Sequence, residues 1–85
     1  MTYEFSPRGV CSRKMRVELD EQGVILSLAV EGGCHGNLQG ISALVRGMRA
    51  QDAVERLKGI RCGFKNTSCP DQLAQGLERI LQQAN

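Results

Sequence analysis

The stretch Arg13-Lys14-Met15-Arg16-Val17-Glu18-Leu19-Asp20 decides the fold, because from Lys14 onward polar and apolar side chains alternate along it. A strand points successive side chains to opposite faces, so Met15, Val17 and Leu19 share one face and Lys14, Arg16 and Glu18 the other. This is a half-buried strand. Asp20-Glu21-Gln22-Gly23 follows, a turn of hairpin length with glycine at its end. Beyond it Val24, Leu26, Leu28 and Val30 alternate with Ile25, Ser27, Ala29 and Glu31, so the two runs pair antiparallel.

Upstream, Thr2 to Phe5 alternates polar and aromatic, which suits a short edge strand, and Ser6-Pro7-Arg8-Gly9 ends it. Downstream, the hairpin runs into Gly32-Gly33-Cys34-His35-Gly36-Asn37, whose glycines permit a tight strand-to-helix passage. Asn37 is a plausible N-cap for a helix with Leu38, Ile41, Leu44, Val45 and Met48 on its apolar face. Gly40 weakens that helix by about 1 kcal/mol relative to alanine, or marks close packing against the sheet. Gly47-Met48-Arg49 breaks it. A shorter helix from about Ala50 to Lys58 turns Ala53, Val54 and Leu57 inward, Gly59 fits the left-handed closing position, and Ile60 folds back on the last turn.

The last helix begins at Asn66-Thr67-Ser68-Cys69-Pro70-Asp71. Proline is tolerated at a first helical position, which makes Pro70 N1 and Cys69 the N-cap. Leu73, Leu77, Ile80, Leu81 and Ala84 recur at helical spacing, with Gln72, Gln75, Glu78 and Gln82 on the other side. Asp71 suits the positive end of the helix dipole, and the unpaired N–H groups there favour a thiolate. Cys69 is thus either a reactive thiol or a small half-buried apolar residue. Strands first and helices afterwards, in the order β-β-β-α-α-α, argue for an α+β domain: a three-stranded mainly antiparallel sheet with three helices packed on one face.

Eighty-five residues are too few to divide, so 1–85 is read as a single domain with a thin core. With no tryptophan, one tyrosine and two phenylalanines, that core is mostly aliphatic, and a staple such as a metal or a dimer interface would help it. Eleven basic residues against nine acidic ones give a net +2, scattered along the chain, which argues against a nucleic-acid partner. No stretch is long and apolar enough for a membrane span, and Met1-Thr2-Tyr3-Glu4 opens no signal core, so a cytoplasmic protein is expected. In that compartment four cysteines are more often reduced, metal-bound or reactive than paired.

Their spacing, Cys11-x22-Cys34-x27-Cys62-x6-Cys69, contains none of the C-x2-C knuckles of zinc ribbons. Their placement is more informative. Every cysteine falls in a loop or at an element end, and none on the apolar face of a strand or helix. Loops at one end of a sheet, a glycine-rich turn and a helix start could bring three or four sulfurs together as ligands for zinc or an iron-sulfur cluster, with His35 as an imidazole substitute. As a single histidine in a turn, His35 is more simply a surface residue. Nucleophilic catalysis would need a base, and His35 is the one candidate. No phosphate-binding glycine motif and no carboxylate pair marks a substrate pocket.

The runs Gly9-Val10-Cys11-Ser12, Gly32-Gly33-Cys34-His35-Gly36-Asn37, Gly59-Ile60-Arg61-Cys62-Gly63 and Thr67-Ser68-Cys69-Pro70-Asp71-Gln72-Leu73-Ala74 resemble the TSCPD family over nearly the whole chain. That family occurs as small bacterial proteins and as a terminal domain of adenosylcobalamin-dependent ribonucleoside-diphosphate reductases. The resemblance implies an association with ribonucleotide reductase and DNA replication. A chain of this length cannot hold the reductase barrel and is not expected to be an enzyme alone. More distantly, the layout is similar to IscU/NifU-type iron-sulfur scaffolds, whose three cluster cysteines would fall on Cys11, Cys34 and Cys69. Arg13 stands where the scaffold has an aspartate, and Ser68 where it has a histidine. Cys62 would then supply a fourth ligand and close the site.

Three functions follow as expectations. The first is a metal-binding accessory domain with Cys11, Cys34, Cys62 and Cys69 as ligands, docking on a reductase or another protein. The second is a thiol redox module in which Cys62 and Cys69 exchange electrons. The third is an interaction domain whose cysteines merely pack.

Overall fold

A computed structural model of the chain describes residues 1–10, 12–33 and 35–83, with backbone alone at 35–37. Three strands, β1 (Thr2–Phe5), β2 (Ser12–Leu19) and β3 (Ile25–Gly32), form one antiparallel sheet in the order β1-β2-β3. Three helices follow: α1 (His35–Val45), α2 (Ala50–Leu57) and α3 (Cys69–Gln83). Met15, Val17 and Leu19 of β2 and Ile25 and Leu28 of β3 are buried against Val45, Ala50, Ala53, Val54, Leu73, Leu77 and Ile80. All three helices therefore contribute to a core on one sheet face, as the order of elements predicts. Burying each larger aliphatic side chain contributes about 1.5–3 kcal/mol, which is how a chain with few aromatics holds together.

The hairpin departs from plain alternation in two places. Glu18 pairs with Ser27 and Leu19 with Ile25, so Leu26 is an extra residue and the strand changes face there. Ile25 is buried as a result, while Leu26 is left 47% exposed, the reverse of the alternation read from Val24 to Val30. On β2, Ser12 pairs with Gly32 and Lys14 with Glu31, leaving Arg13 as the extra residue. That second bulge turns Ser12 inward, onto the face of Met15, where it is 3% exposed.

Between β2 and β3 the turn is held by Asp20, whose Oδ1 accepts the N–H groups of Gln22 at 2.8 Å and Val24 at 2.9 Å. The break at Gly47 pairs with the start of β3's outer edge. Gly47 N–H donates to Ile25 O and Ile25 N–H to Met48 O, both at 2.8 Å. On α1, Leu38 and Val45 are buried but Leu44 is exposed, since at about 100° per residue it lies about 120° from Leu38 around the helix. Gly40 faces open space, which removes the close-packing reading. Close packing belongs to Gly76 of α3, where a β carbon would come within 2.3 Å of the Phe5 ring. Gly59 does adopt the left-handed conformation after α2, at φ 89°. Ile60 N–H bonds to Leu57 O at 3.4 Å, yet its side chain stays exposed rather than folding back.

Candidate thiol site at the start of the last helix

The N-cap of α3 is Ser68, one residue earlier than the position of Pro70 suggests. Ser68 O accepts the first helical bond from Gln72 N–H at 2.8 Å, and Ser68 Oγ accepts the N–H of Asp71 at 3.2 Å. Cys69 is accordingly N1 and Pro70 N2, where a missing N–H is equally without a helical partner. The Ser68 hydroxyl also donates to Ile60 O at 2.6 Å, joining the helix start to the chain that leaves α2.

Asp71 is 4% exposed and is the centre of the arrangement. Its Oδ1 accepts the Gly59 N–H at 2.7 Å, and its Oδ2 accepts the Thr67 hydroxyl and, at 2.8 Å, the Gln75 amide. Burial pushes this carboxyl up, but the bonds from Thr67, Gly59 and Gln75 and the nearby Lys58 charge outweigh it, and the group is held below the usual carboxylate value. Thr67 Oγ1 in turn accepts from Gln72 Nε2 at 3.0 Å, and Gln72 Oε1 accepts the Arg8 N–H at 3.1 Å. Four side chains thus tie the start of α3 to the segment after α2 and to the segment after β1.

Within this frame Cys69 is half-buried against the core, and its Sγ lies 3.4 Å from Ser12 Oγ. The inward turn of Ser12 at the bulge makes that contact possible. A β carbon on Gly33 would stand 3.2 Å from Ser12 N, and one on Gly9 3.4 Å from Thr67 Cγ2. The end of β1's loop, the start of β2, the end of β3 and the start of α3 therefore meet at one place. Cys62 sits exposed in a small loop, its N–H donating to Thr67 O at 3.1 Å and its carbonyl accepting from Lys65 N–H at 3.0 Å. Both described cysteines are free thiols.

Cys11 and Cys34 lie outside the described residues, as do Ala84 and the side chains of His35 and Asn37. Among the described residues no three His, Cys, Asp or Glu side chains converge as a metal site. Ser12, Thr67 and Gln72 are members of the site that the sequence reading did not single out. Serine's preference for N-caps was the available signal for Ser68, and nothing in the local sequence marks Ser12.

A family model for the TSCPD domain matches residues 1–81. The chain belongs to the TSCPD domain family. No curated protein and no solved structure gives a significant match. In this TSCPD domain the five motif residues divide their work. Thr67, Ser68 and Asp71 make the tie, and Pro70 presets the backbone of the first turn. Cys69 brings the one reactive side chain of the five and takes no part in the tie. No helix among the described residues is long and apolar enough to cross a membrane.

Proposed function

We propose that this TSCPD domain is a cysteine-rich accessory domain that binds zinc or an iron-sulfur cluster through Cys11, Cys34, Cys62 and Cys69. The observation that carries the reading is the meeting of Cys69 with Ser12, which Gly33 also approaches. Ser12 and Gly33 are the chain neighbours of Cys11 and Cys34. Cys62 joins through the bond from its N–H to Thr67 O, two residues before Cys69. Four thiolates are a donor set that suits zinc or iron-sulfur chemistry, and metal bound by a thin-cored domain adds directly to its stability. The resemblance read from the sequence to IscU/NifU-type scaffolds motivates a shared thiol site. Family membership supports a cytoplasmic accessory role beside a ribonucleotide reductase, and hence in DNA replication, with no catalysis by this chain alone.

A chelator tests the reading. Excess chelator should unfold the metal-loaded protein, and added zinc or iron with sulfide should restore it; an unchanged fold in excess chelator would remove the proposal. A second reading has its own support in the two free thiols, one exposed on a loop and one half-buried nearby in sequence. Here Cys62 and Cys69 would form a disulfide, delivering two electrons and two protons to a disulfide of the partner protein. Metal-free protein that cycles reversibly between dithiol and a Cys62–Cys69 disulfide would favour this reading over the first.

A further inference from the structure

We propose that the cleft between the end of β1 and α3 binds the phosphoryl group of a small molecule, gripped by Arg8 and Arg79. The cleft has a volume of about 500 Å³ and is lined by Phe5, Ser6, Arg8, Gln72, Gln75 and Arg79. That is within the range of small-ligand sites. Gln72, Gln75 and Arg79 follow one another at helical spacing along one face of α3, while Arg8 and Ser6 come from the segment after β1.

Its walls are set before any ligand arrives. Gln72 is buried, with both ends of its amide engaged by Thr67 Oγ1 and Arg8 N–H. Gln75 is held by Asp71, and Phe5 is pressed onto Gly76. The backbone of Arg8 is therefore fixed by the same tie that positions Cys69, although the cleft does not depend on the thiols or on any metal.

Charge distinguishes this cleft from the others described. Two cations elsewhere are paired with carboxylates: Arg16 meets Glu4 at 2.5 Å and Lys58 meets Glu78 at 2.9 Å. The cleft holding Arg49 and Arg56 also holds Asp52, and the one holding Lys14 and Arg16 also holds Glu31. The groove between β3 and α1 has a single cation, Arg46. Arg8 and Arg79 share a cleft with no acidic lining residue, and neither guanidinium meets a carboxylate among the described residues. Two cations lining one cleft with no acidic neighbour make it a region of positive potential, which an anion bound there lowers. Guanidinium forks match phosphate oxygens in pairs. A phosphoryl dianion brings three terminal oxygens and two charges to the two forks, with the Ser6 hydroxyl as a further donor, whereas a carboxylate brings two oxygens and one charge.

The test is amide NMR of the full chain titrated with inorganic phosphate and, separately, with phenyl phosphate, at constant ionic strength set by chloride. Saturable shifts are expected at Arg8, Gln72 and Gln75. Arg8→Gln and Arg79→Gln should each weaken binding by about tenfold, the worth of one charge-assisted bond, and Lys14→Gln should not. Tighter binding of phenyl phosphate identifies a phosphate ester as the ligand, and tighter binding of inorganic phosphate identifies the free ion. Arg8→Lys and Arg79→Lys keep the charge and lose the fork, so they should bind more weakly than the parent even if a glutamine variant fails to fold. Shifts that do not saturate, or that weaken equally with Lys14→Gln, would overturn the proposal.

Discussion

The two ends of the sheet are closed by different means. At the hairpin end the joints are backbone bonds: Ile25 to Met48, Gly47 to Ile25 and Ala50 to Gly23, each at 2.8 Å, with Asp20 as the one capping side chain. At the thiol end the joints are side chains: Thr67, Ser68, Asp71 and Gln72 carry the bonds that hold Gly59, Ile60 and Arg8 in place. Backbone bonds are indifferent to residue type, whereas each of these side-chain bonds needs its own residue. The joints of the thiol end are therefore the ones that a single substitution can remove, and they surround a cysteine that the tie itself does not use.

Asp71→Ala is the largest test of that contrast. It strands the Gly59 N–H, the Thr67 hydroxyl and the Gln75 amide, and should cost about 3 kcal/mol in urea unfolding. An effect no larger than that of an exposed turn would break the comparison. The same residue gives a pH signature. Its folded carboxyl lies below the unfolded value of about 3.9, so its contribution is complete above that pH and is lost as pH falls through the lower folded value. Asp71→Asn should flatten the acid limb of a stability–pH curve. Glu4, likewise lowered by its bond and charge from Arg16, titrates on the surface and should leave that limb nearly unchanged.

Ser68→Ala removes both the helix cap and the bond to Ile60, and should cost about 1–2 kcal/mol. Asp20→Ala at the other end removes two bonds in an open turn whose backbone joints remain, and thermal unfolding should register about 0.5–1 kcal/mol. Smallest is Leu26→Thr. Because the bulge leaves this leucine outside, the change should stay within about 0.5 kcal/mol, and a loss of core size would place Leu26 inside and contradict the register.

Much of the architecture was legible because its signals are local. The alternation of Met15, Val17 and Leu19 gave the central strand, Gly23 the turn, and Gly47 and Gly59 the helix ends. The phase of β3 was not legible, since Leu26 is as apolar as Leu28 and only pairing with β2 reveals which is the extra residue. The cap was misplaced by one because proline at N1 and at N2 leaves the same missing donor, and the hydrogen bond to Asp71 N–H decides for Ser68. Asp71 read as a partner for the helix dipole, a local role. Of its three partners Thr67 and Gln75 are four residues away, but Gly59 is twelve, and the contact of Ser12 with Cys69 spans 57. Such contacts depend on the bulge and on the packing of α3, which no short window of sequence contains.

The measurement that bears most directly on the thiol site is metal and sulfide content per chain, with the visible spectrum, on protein purified without oxygen. About one zinc, or one cluster, per chain is predicted, lost in Cys69→Ser while Ser12→Ala retains it. Folded, colourless protein free of metal would contradict the account and leave the cysteines to redox exchange or packing.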